Sequence, residues 1–130
     1  MSNYDEIEHR RLEGALAEVV QLAQRGNSLG AANVFGEFRR ALACHLDQEE
    51  TFTLPEFRRR TGDPYGMVPI IQAQHRELEQ ALDRVSAAIS AADDARFCAA
   101  LLELDARLSA HQAAEELLLS PTADAPAPPA

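Results

Sequence analysis

The chain has 130 residues, 46% of them hydrophobic and 25% charged, and it carries a formal net charge of −9. This length and composition predict a single globular domain, large enough to bury a core of its own. The negative charge argues against nucleic acid and against an anionic membrane surface as partners, because both would repel the chain.

Turn-forming residues divide the sequence into four long segments. The stretches RGNSLG (25–30) and RTGDPYG (60–66) contain the residues typical of loops, and SAADDA (90–95) offers Asp93 or Asp94 as a helix cap. Alanine and leucine dominate between these stretches, which favours helices over strands. The predicted helices cover residues 3–25, 31–59, 66–90 and 94–119.

Each predicted helix carries a seam of residues at the three- and four-residue spacing of a bundle helix. The first seam is His9, Leu12, Leu16 and Val19, and the second is Phe35, Phe38, Leu42, His45, Glu49 and Phe52. The third is Val68, Ile71, His75, Leu78, Leu82, Val85 and Ile89, and the fourth is Phe97, Leu101, Leu104, Leu108, His111, Glu115 and Leu118. Short connections make neighbouring helices antiparallel, so the sequence predicts an all-α fold, an up-down-up-down antiparallel four-helix bundle.

The two halves of the chain repeat one another. HRRLEGAL (9–16) matches HRELEQAL (75–82) at six of eight positions, and HLDQEETFTLP (45–55) shares its histidine, both glutamates and its proline with HQAAEELLLSP (111–121). Both pairs are offset by 66 residues without a gap. The bundle is therefore predicted to consist of two repeated helical hairpins related by a pseudo-two-fold axis.

The ends and the cysteines of the chain predict its cellular setting. The first residues lack the apolar stretch of a signal peptide, and no run of about 18 apolar residues predicts a membrane span. Cys44 and Cys98 are expected to be small buried side chains in a reducing cytoplasm. Residues 122–130 are rich in proline and alanine and are predicted to form a disordered tail, which leaves residues 1–121 as the folded domain.

All four histidines of the chain, together with Glu49 and Glu115, occupy seam positions where hydrophobic residues are expected. Their distances from the turns place them at about the same height, so six polar side chains can meet in one layer of the core. A buried carboxylate without a partner is costly, and a metal ion supplies the charge that it lacks. Imidazole and carboxylate ligands without a thiolate suit iron or manganese. Six of them suit two metal ions that share the glutamates, with each half of the chain supplying a His and a His-x-x-x-Glu pair.

The order His … HxxxE … His … HxxxE, with HxxxEE-x-[FL]-x-x-P recurring in each half, resembles the hemerythrin-like HHE cation-binding family. The resemblance covers residues 5–121. It implies a non-haem di-iron centre, two iron ions of the Fe–O–Fe type, with manganese as the alternative metal. By the same resemblance, Glu49 and Glu115 would be bridging carboxylates, and the terminal ligands would be His9, His45, His75 and His111.

The chain departs from the oxygen-carrying members of that family in its ligand set. Those proteins use a fifth histidine four residues after the third-helix histidine, where this chain has Glu79. Glu79 is therefore a further candidate metal ligand, and Glu116, which follows Glu115, is an alternate one. A more carboxylate-rich site is expected to have a lower reduction potential, which argues against reversible oxygen carriage.

The resemblance implies a protein that binds or reacts with a small oxidant, namely O2, peroxide or nitric oxide, in handling or sensing oxidative or nitrosative stress. The residues leave open whether the protein is an enzyme with catalase-like, peroxidase-like or oxygen-reducing activity, and they do not name a protein partner. The alternative is an iron-buffering or iron-responsive protein without turnover. A third hypothesis is a metal-free bundle whose polar layer fixes the register of the helices.

Overall fold

The computed structural model of the protein describes residues 3–118, and these residues form helices and short connections without a β-strand. The helices are α1 (Asn3–Gln24), α2 (Ser28–Gln48), α3 (Leu54–Thr61), α4 (Met67–Ser90) and α5 (Asp94–Leu118), and a π-helical segment (Glu49–Thr53) joins α2 to α3. The backbone stays helical through that junction, so α2, the π-helical segment and α3 make one long second helix. The predicted all-α four-helix fold is confirmed, whereas the predicted tail, 122–130, lies outside the described residues.

The helices end where the chain supplies turn and capping chemistry. The side chain of Asn27 accepts a hydrogen bond of 3.0 Å from the Gly30 amide, so α2 begins three residues before its predicted start. Gly62 ends α3 in the left-handed conformation, with φ of +75°. The carboxylate of Asp63 then accepts hydrogen bonds from the amides of Met67 and Val68, at 2.8 and 3.0 Å, at the start of α4. These short connections hold each helix antiparallel to the next.

The helices pack as two hairpins. The closest packing is within the pairs α1–α2 and α4–α5, and the two hairpins then meet along α1 and α5 more than along α2 and α4. Two apolar clusters fill the interior. The larger contains Leu16, Phe38 and Leu104, and the smaller consists of Leu54, Phe57, Val68 and Ile71. Within residues 3–118, no helix is long and apolar enough to cross a membrane.

A hydrogen bond between Ser28 and Asp94 marks the pseudo-two-fold axis. The Ser28 hydroxyl donates to the Asp94 carboxylate at 2.9 Å, and the two residues are 66 positions apart, which is the offset of the sequence repeat. Residues related by a two-fold axis can touch only beside that axis. The axis therefore passes through the end of the bundle where each hairpin turns.

The second long helix contains one π-helical turn, which changes the direction in which all later side chains of that helix point. The Leu54 amide donates to the Glu49 carbonyl, five residues back, and Pro55 follows. In a regular α-helix the proline ring would clash with the Thr51 carbonyl. The extra residue in the turn rotates the next positions, so Leu54 is fully buried and Phe52 is 69% exposed. The predicted seam position of Phe52 is therefore wrong, because the sequence pattern assumed an unbroken α-helix.

Candidate metal centre

Six polar side chains meet in one buried layer between the two apolar clusters. All four long helices contribute, and none of the six is more than 4% exposed: His9, His45, Glu49, His75, His111 and Glu115. Their ligand atoms form two overlapping groups, in each of which the atoms lie within 4.8 Å of one another. The first group contains His9 and His45, the second contains His75 and His111, and both contain the two glutamates.

The ligand atoms of the layer lie close to one another. The Nε2 atoms of His9 and His45 are 3.2 Å apart, and His45 Nε2 lies 3.4 Å from one oxygen of Glu49. The other oxygen of Glu49 lies 3.1 Å from His75 Nε2 and 3.9 Å from His111 Nε2. His111 Nε2 also contacts Glu115 Oε1. Glu49 thus offers one oxygen to each histidine pair, as a bridging carboxylate does.

The two histidine pairs have nearly the same geometry. The rings of His9 and His45 are 5.0 Å apart between centroids with an interplanar angle of 78°, and those of His75 and His111 are 4.8 Å apart at 75°. This agreement is expected if the two hairpins are related by the pseudo-two-fold axis. Each hairpin therefore supplies one half of the layer.

The buried oxygen and nitrogen atoms of this layer are suited to bind a cation. Glu49 Oε1, both Glu115 oxygens and the Nε2 atoms of His75 and His111 lie close to one another, but the described residues give none of them a hydrogen bond. A buried polar atom without a partner costs free energy on folding. Lone pairs of carboxylate oxygens and imidazole nitrogens that face one another can all be satisfied at once by divalent metal ions. The chemistry of these donors is that of iron or manganese sites.

The outer nitrogen of each histidine faces a polar side chain of another helix. His9 Nδ1 lies 3.5 Å from Glu116, and His45 Nδ1 lies 3.0 Å from Glu8. An acceptor at Nδ1 holds the proton on that nitrogen and leaves the Nε2 lone pair facing the layer.

The histidines of the second hairpin have equivalent outer contacts. His75 Nδ1 lies 2.8 Å from Glu50, and His111 Nδ1 lies 2.7 Å from Gln74.

Glu116, the alternate ligand of the sequence analysis, therefore lies at the outer nitrogen of His9 and belongs to neither group of convergent ligand atoms. Sequence reasoning missed Glu8 and Gln74. Both directly precede a candidate histidine while contacting another one, a relation that spacing along one helix does not reveal.

Burial and the carboxylates act in opposite directions on the charges of the layer. Burial alone would raise the pKa of Glu49, but the nearby imidazoles of His111, His45 and His75 outweigh it and hold the pKa well below its ordinary value. Burial lowers the pKa of His45, and Glu49 and Glu8 more than compensate, so this pKa is raised. The pKa of His75 is raised in the same way, with Glu50 in the place of Glu8. For His111, burial outweighs the opposing effect of Glu49, and the pKa is lowered. Glu49 therefore keeps a negative charge that attracts cations.

Glu79, the seventh predicted ligand, is not brought to this layer. Its side chain is exposed, and neither group of convergent ligand atoms includes it. The preceding residue, Leu78, takes the buried position on α4. Glu13, at the equivalent position of α1, is exposed too.

Gln112 is a buried polar residue that the sequence patterns did not single out. It is 2% exposed, and neither polar atom of its amide has a hydrogen-bond partner among the described residues. It directly follows His111 on α5 and lies one turn before Glu115 and Glu116. The repeat places Leu46 at the equivalent position of the first hairpin, and Leu46 is buried in the larger apolar cluster. A glutamine beside a seam histidine was the only available signal, and it is a weak one.

Comparison with known families agrees with this site. The model of the family described as "Hemerythrin HHE cation binding domain" matches residues 4–123. Searches among curated proteins and among solved structures found no match for the chain.

Proposed function

Because the chain belongs to the hemerythrin HHE cation-binding family, we propose that it binds two iron ions in the buried layer and uses them to bind or react with a small oxidant. The oxidant is O2, peroxide or nitric oxide, and the role is in handling or sensing oxidative or nitrosative stress. The proposed ligands are the six residues of the layer, with Glu49 and Glu115 shared between the two metal positions.

The observation that carries this proposal is the pair of overlapping ligand groups with a shared pair of glutamates. A single metal ion would leave one histidine pair unused and several buried lone pairs without a partner. Two ions, one for each histidine pair, account for all six side chains. Iron is proposed over manganese because redox reactions with small oxidants are typical of iron held by imidazole and carboxylate ligands.

The residues around the layer favour access by a small neutral molecule over access by an ion. Bound iron would supply the electrons for reaction with the oxidant. The smaller apolar cluster, with Leu54 and Ile71 among its members, packs against Ala114 and Leu118 and excludes bulk water from one side of the layer. The outer contacts of the histidines hold the rings in place, which keeps the geometry of the centre fixed. O2, nitric oxide and hydrogen peroxide carry no charge, so an apolar boundary hinders them less than it hinders ions.

We also propose a cytoplasmic location. The two cysteines of the chain are free, and Cys44 is exposed although a buried side chain was predicted. An exposed unpaired thiol is best preserved in a reducing compartment. Secreted protein in which the Cys44 thiol is oxidised would contradict this location.

The first test compares two glutamate variants. Protein purified without added metal is expected to contain about two irons per chain and to absorb in the near-ultraviolet to blue under air. Glu115→Gln should lose at least half of the metal, because it removes a shared carboxylate, whereas the exposed Glu79→Gln should retain all of it. Elemental analysis and absorption spectra measure both effects. Folded protein that refuses iron on reconstitution would contradict the proposal, and equal metal loss in both variants would contradict the ligand set.

Iron buffering without turnover is the second candidate function. The unpartnered buried atoms favour it, because a core that needs metal couples folding to iron supply. Peroxide consumption by the iron-loaded protein separates the two candidates. A rate no faster than that of free iron would rule out a peroxide-consuming enzyme, and the binding of nitric oxide or O2 would then be measured by spectroscopy.

A further inference from the structure

The outer contacts of the four histidines obey the repeat, with one chemical exception. Glu116 of the second hairpin contacts His9 of the first, and Glu50 of the first hairpin contacts His75 of the second. These two contacts are related by the 66-residue offset, and both partners are glutamates.

The other two outer contacts lie within the hairpins and differ in chemistry. Glu8 contacts His45 at 3.0 Å, and its counterpart Gln74 contacts His111 at 2.7 Å. The first metal position is therefore surrounded by two carboxylates, Glu8 and Glu116. The second position has one carboxylate, Glu50, and one neutral amide.

A carboxylate at Nδ1 makes an imidazole a stronger metal ligand than an amide does. It accepts the Nδ1–H hydrogen bond with a full negative charge, which increases the electron density at Nε2. The second oxygen of Glu8 is buried and accepts no competing hydrogen bond among the described residues. Glu50, in contrast, also accepts a hydrogen bond of 3.2 Å from Gln72. Both differences favour tighter metal binding at the position of His9 and His45.

The contact of Glu116 with His9 is longer than that of Glu50 with His75, 3.5 Å against 2.8 Å, and acts in the opposite direction. The exchange of a carboxylate for an amide is the larger difference, because it changes the charge beside the histidine.

We infer that the two metal positions are not equivalent, and that the position of His9 and His45 binds a divalent metal ion about tenfold more tightly than the position of His75 and His111. The inference rests on the proposed two-metal site. Glu8 and Gln74 act through the histidines as positioning residues and do not touch the metal. The first metal ion is therefore expected to enter the first hairpin.

Substoichiometric cobalt(II) tests this order of filling in the whole protein. Cobalt(II) shifts the Nδ1–H protons of its histidine ligands far outside the ordinary range of the proton NMR spectrum. With half an equivalent of cobalt(II), the unchanged protein should show mainly one pair of shifted protons, and the second pair should grow after the first is filled. Glu8→Gln should move one resonance of the first pair, that of His45, and thereby assign the pair.

The double exchange Glu8→Gln with Gln74→Glu is the matched variant. It keeps the composition and the net charge of the chain and only moves one carboxylate from His45 to His111. The order in which the two pairs of resonances appear should reverse in this variant. In Gln74→Glu alone, the two pairs should grow together.

Two results would overturn the inference. One is a parallel growth of both pairs in the unchanged protein, and the other is an order of filling that the double exchange leaves unaltered. Failure of the proposed function has a different signature, because a chain that binds no cobalt(II), or only one ion at saturation, lacks the two-metal site altogether.

Discussion

Next to the histidines of the buried layer, Gln112 and Leu46 show how a single residue breaks the symmetry of the two hairpins. Both occupy the same repeat position, but only Gln112 buries an amide without a hydrogen-bond partner among the described residues. Gln112→Leu should therefore raise the free energy of unfolding of the metal-free protein by about 1–3 kcal/mol. Denaturant titration measures the change.

The reciprocal variant Leu46→Gln is the control for that prediction. It buries a second unpartnered amide and should destabilise the protein by a similar amount. The number of bound metal ions should stay the same in Gln112→Leu. A loss of stability in metal-free Gln112→Leu would mean that the amide already has a partner there, and a loss of bound metal would mean that the amide supports the metal site. Either result would contradict the prediction.

Single residues also show where sequence reasoning reaches its limit. The six seam positions that carry histidine or glutamate could be read from periodicity, and the structure brings all six together. Glu79 was added from a family pattern, and the structure leaves it at the surface. Glu8 and Gln74 were missed, because a contact between neighbouring helices depends on how the helices face each other and leaves no periodic signal in one sequence.

At the scale of helices, the π-helical turn at Glu49–Thr53 contains one residue more than an α-helix needs. Deleting Phe52 should bring Leu54 to the α-helical spacing from Glu49, with Pro55 still inside the helix. The deletion should cost about 3 kcal/mol, because proline within an α-helix clashes with the preceding turn. Combining it with Pro55→Ala should recover most of that loss, as measured by denaturant unfolding.

Deleting the exposed Ala43 from the regular part of α2 is the matched control. It rotates His45 and Glu49 by about 100° relative to the core residues before them, since α-helical residues follow at that angle. We expect this variant to lose both the fold and the metal site. If the Phe52 deletion were equally harmful even with Pro55→Ala, the π-helical turn would have a role beyond accommodating the proline.

The predicted helices agree with the observed ones to within three residues wherever the structure describes them. Turn residues and seam periodicity are local signals, and they sufficed for four helices and their order. The π-helical turn was not predictable in the same way. The two halves of the sequence align across it without a gap, although the equivalent part of α5 remains α-helical as far as Leu118.

At the scale of the whole molecule, the buried layer couples stability to metal. A ligand present at about a thousand times its dissociation constant stabilises the folded state by about 4 kcal/mol. For a chain of this length that corresponds to about 15 °C in melting temperature. Removing the metal with a chelator should therefore lower the melting temperature by about that amount, as measured by calorimetry.

Adding metal back should restore the higher melting temperature. Glu115→Gln, which weakens the site, should show a smaller difference between the loaded and the chelated protein than Glu79→Gln does. The same melting temperature with and without chelator would show that the layer is stable by itself, which would favour a metal-free scaffold.

The hydrogen bond between Ser28 and Asp94 has a consequence for how such a bundle can be assembled. If two identical separate hairpins formed this bundle as a homodimer, a residue beside the axis would meet its own copy, serine against serine or aspartate against aspartate. Two aspartates at that distance would repel each other. Joining both hairpins in one chain allows the two sides of the axis to carry different residues, here a donor and an acceptor. The same freedom allows Glu8 and Gln74 to differ, so covalent linkage of the halves is what permits a chain with this symmetry to hold two unlike sites.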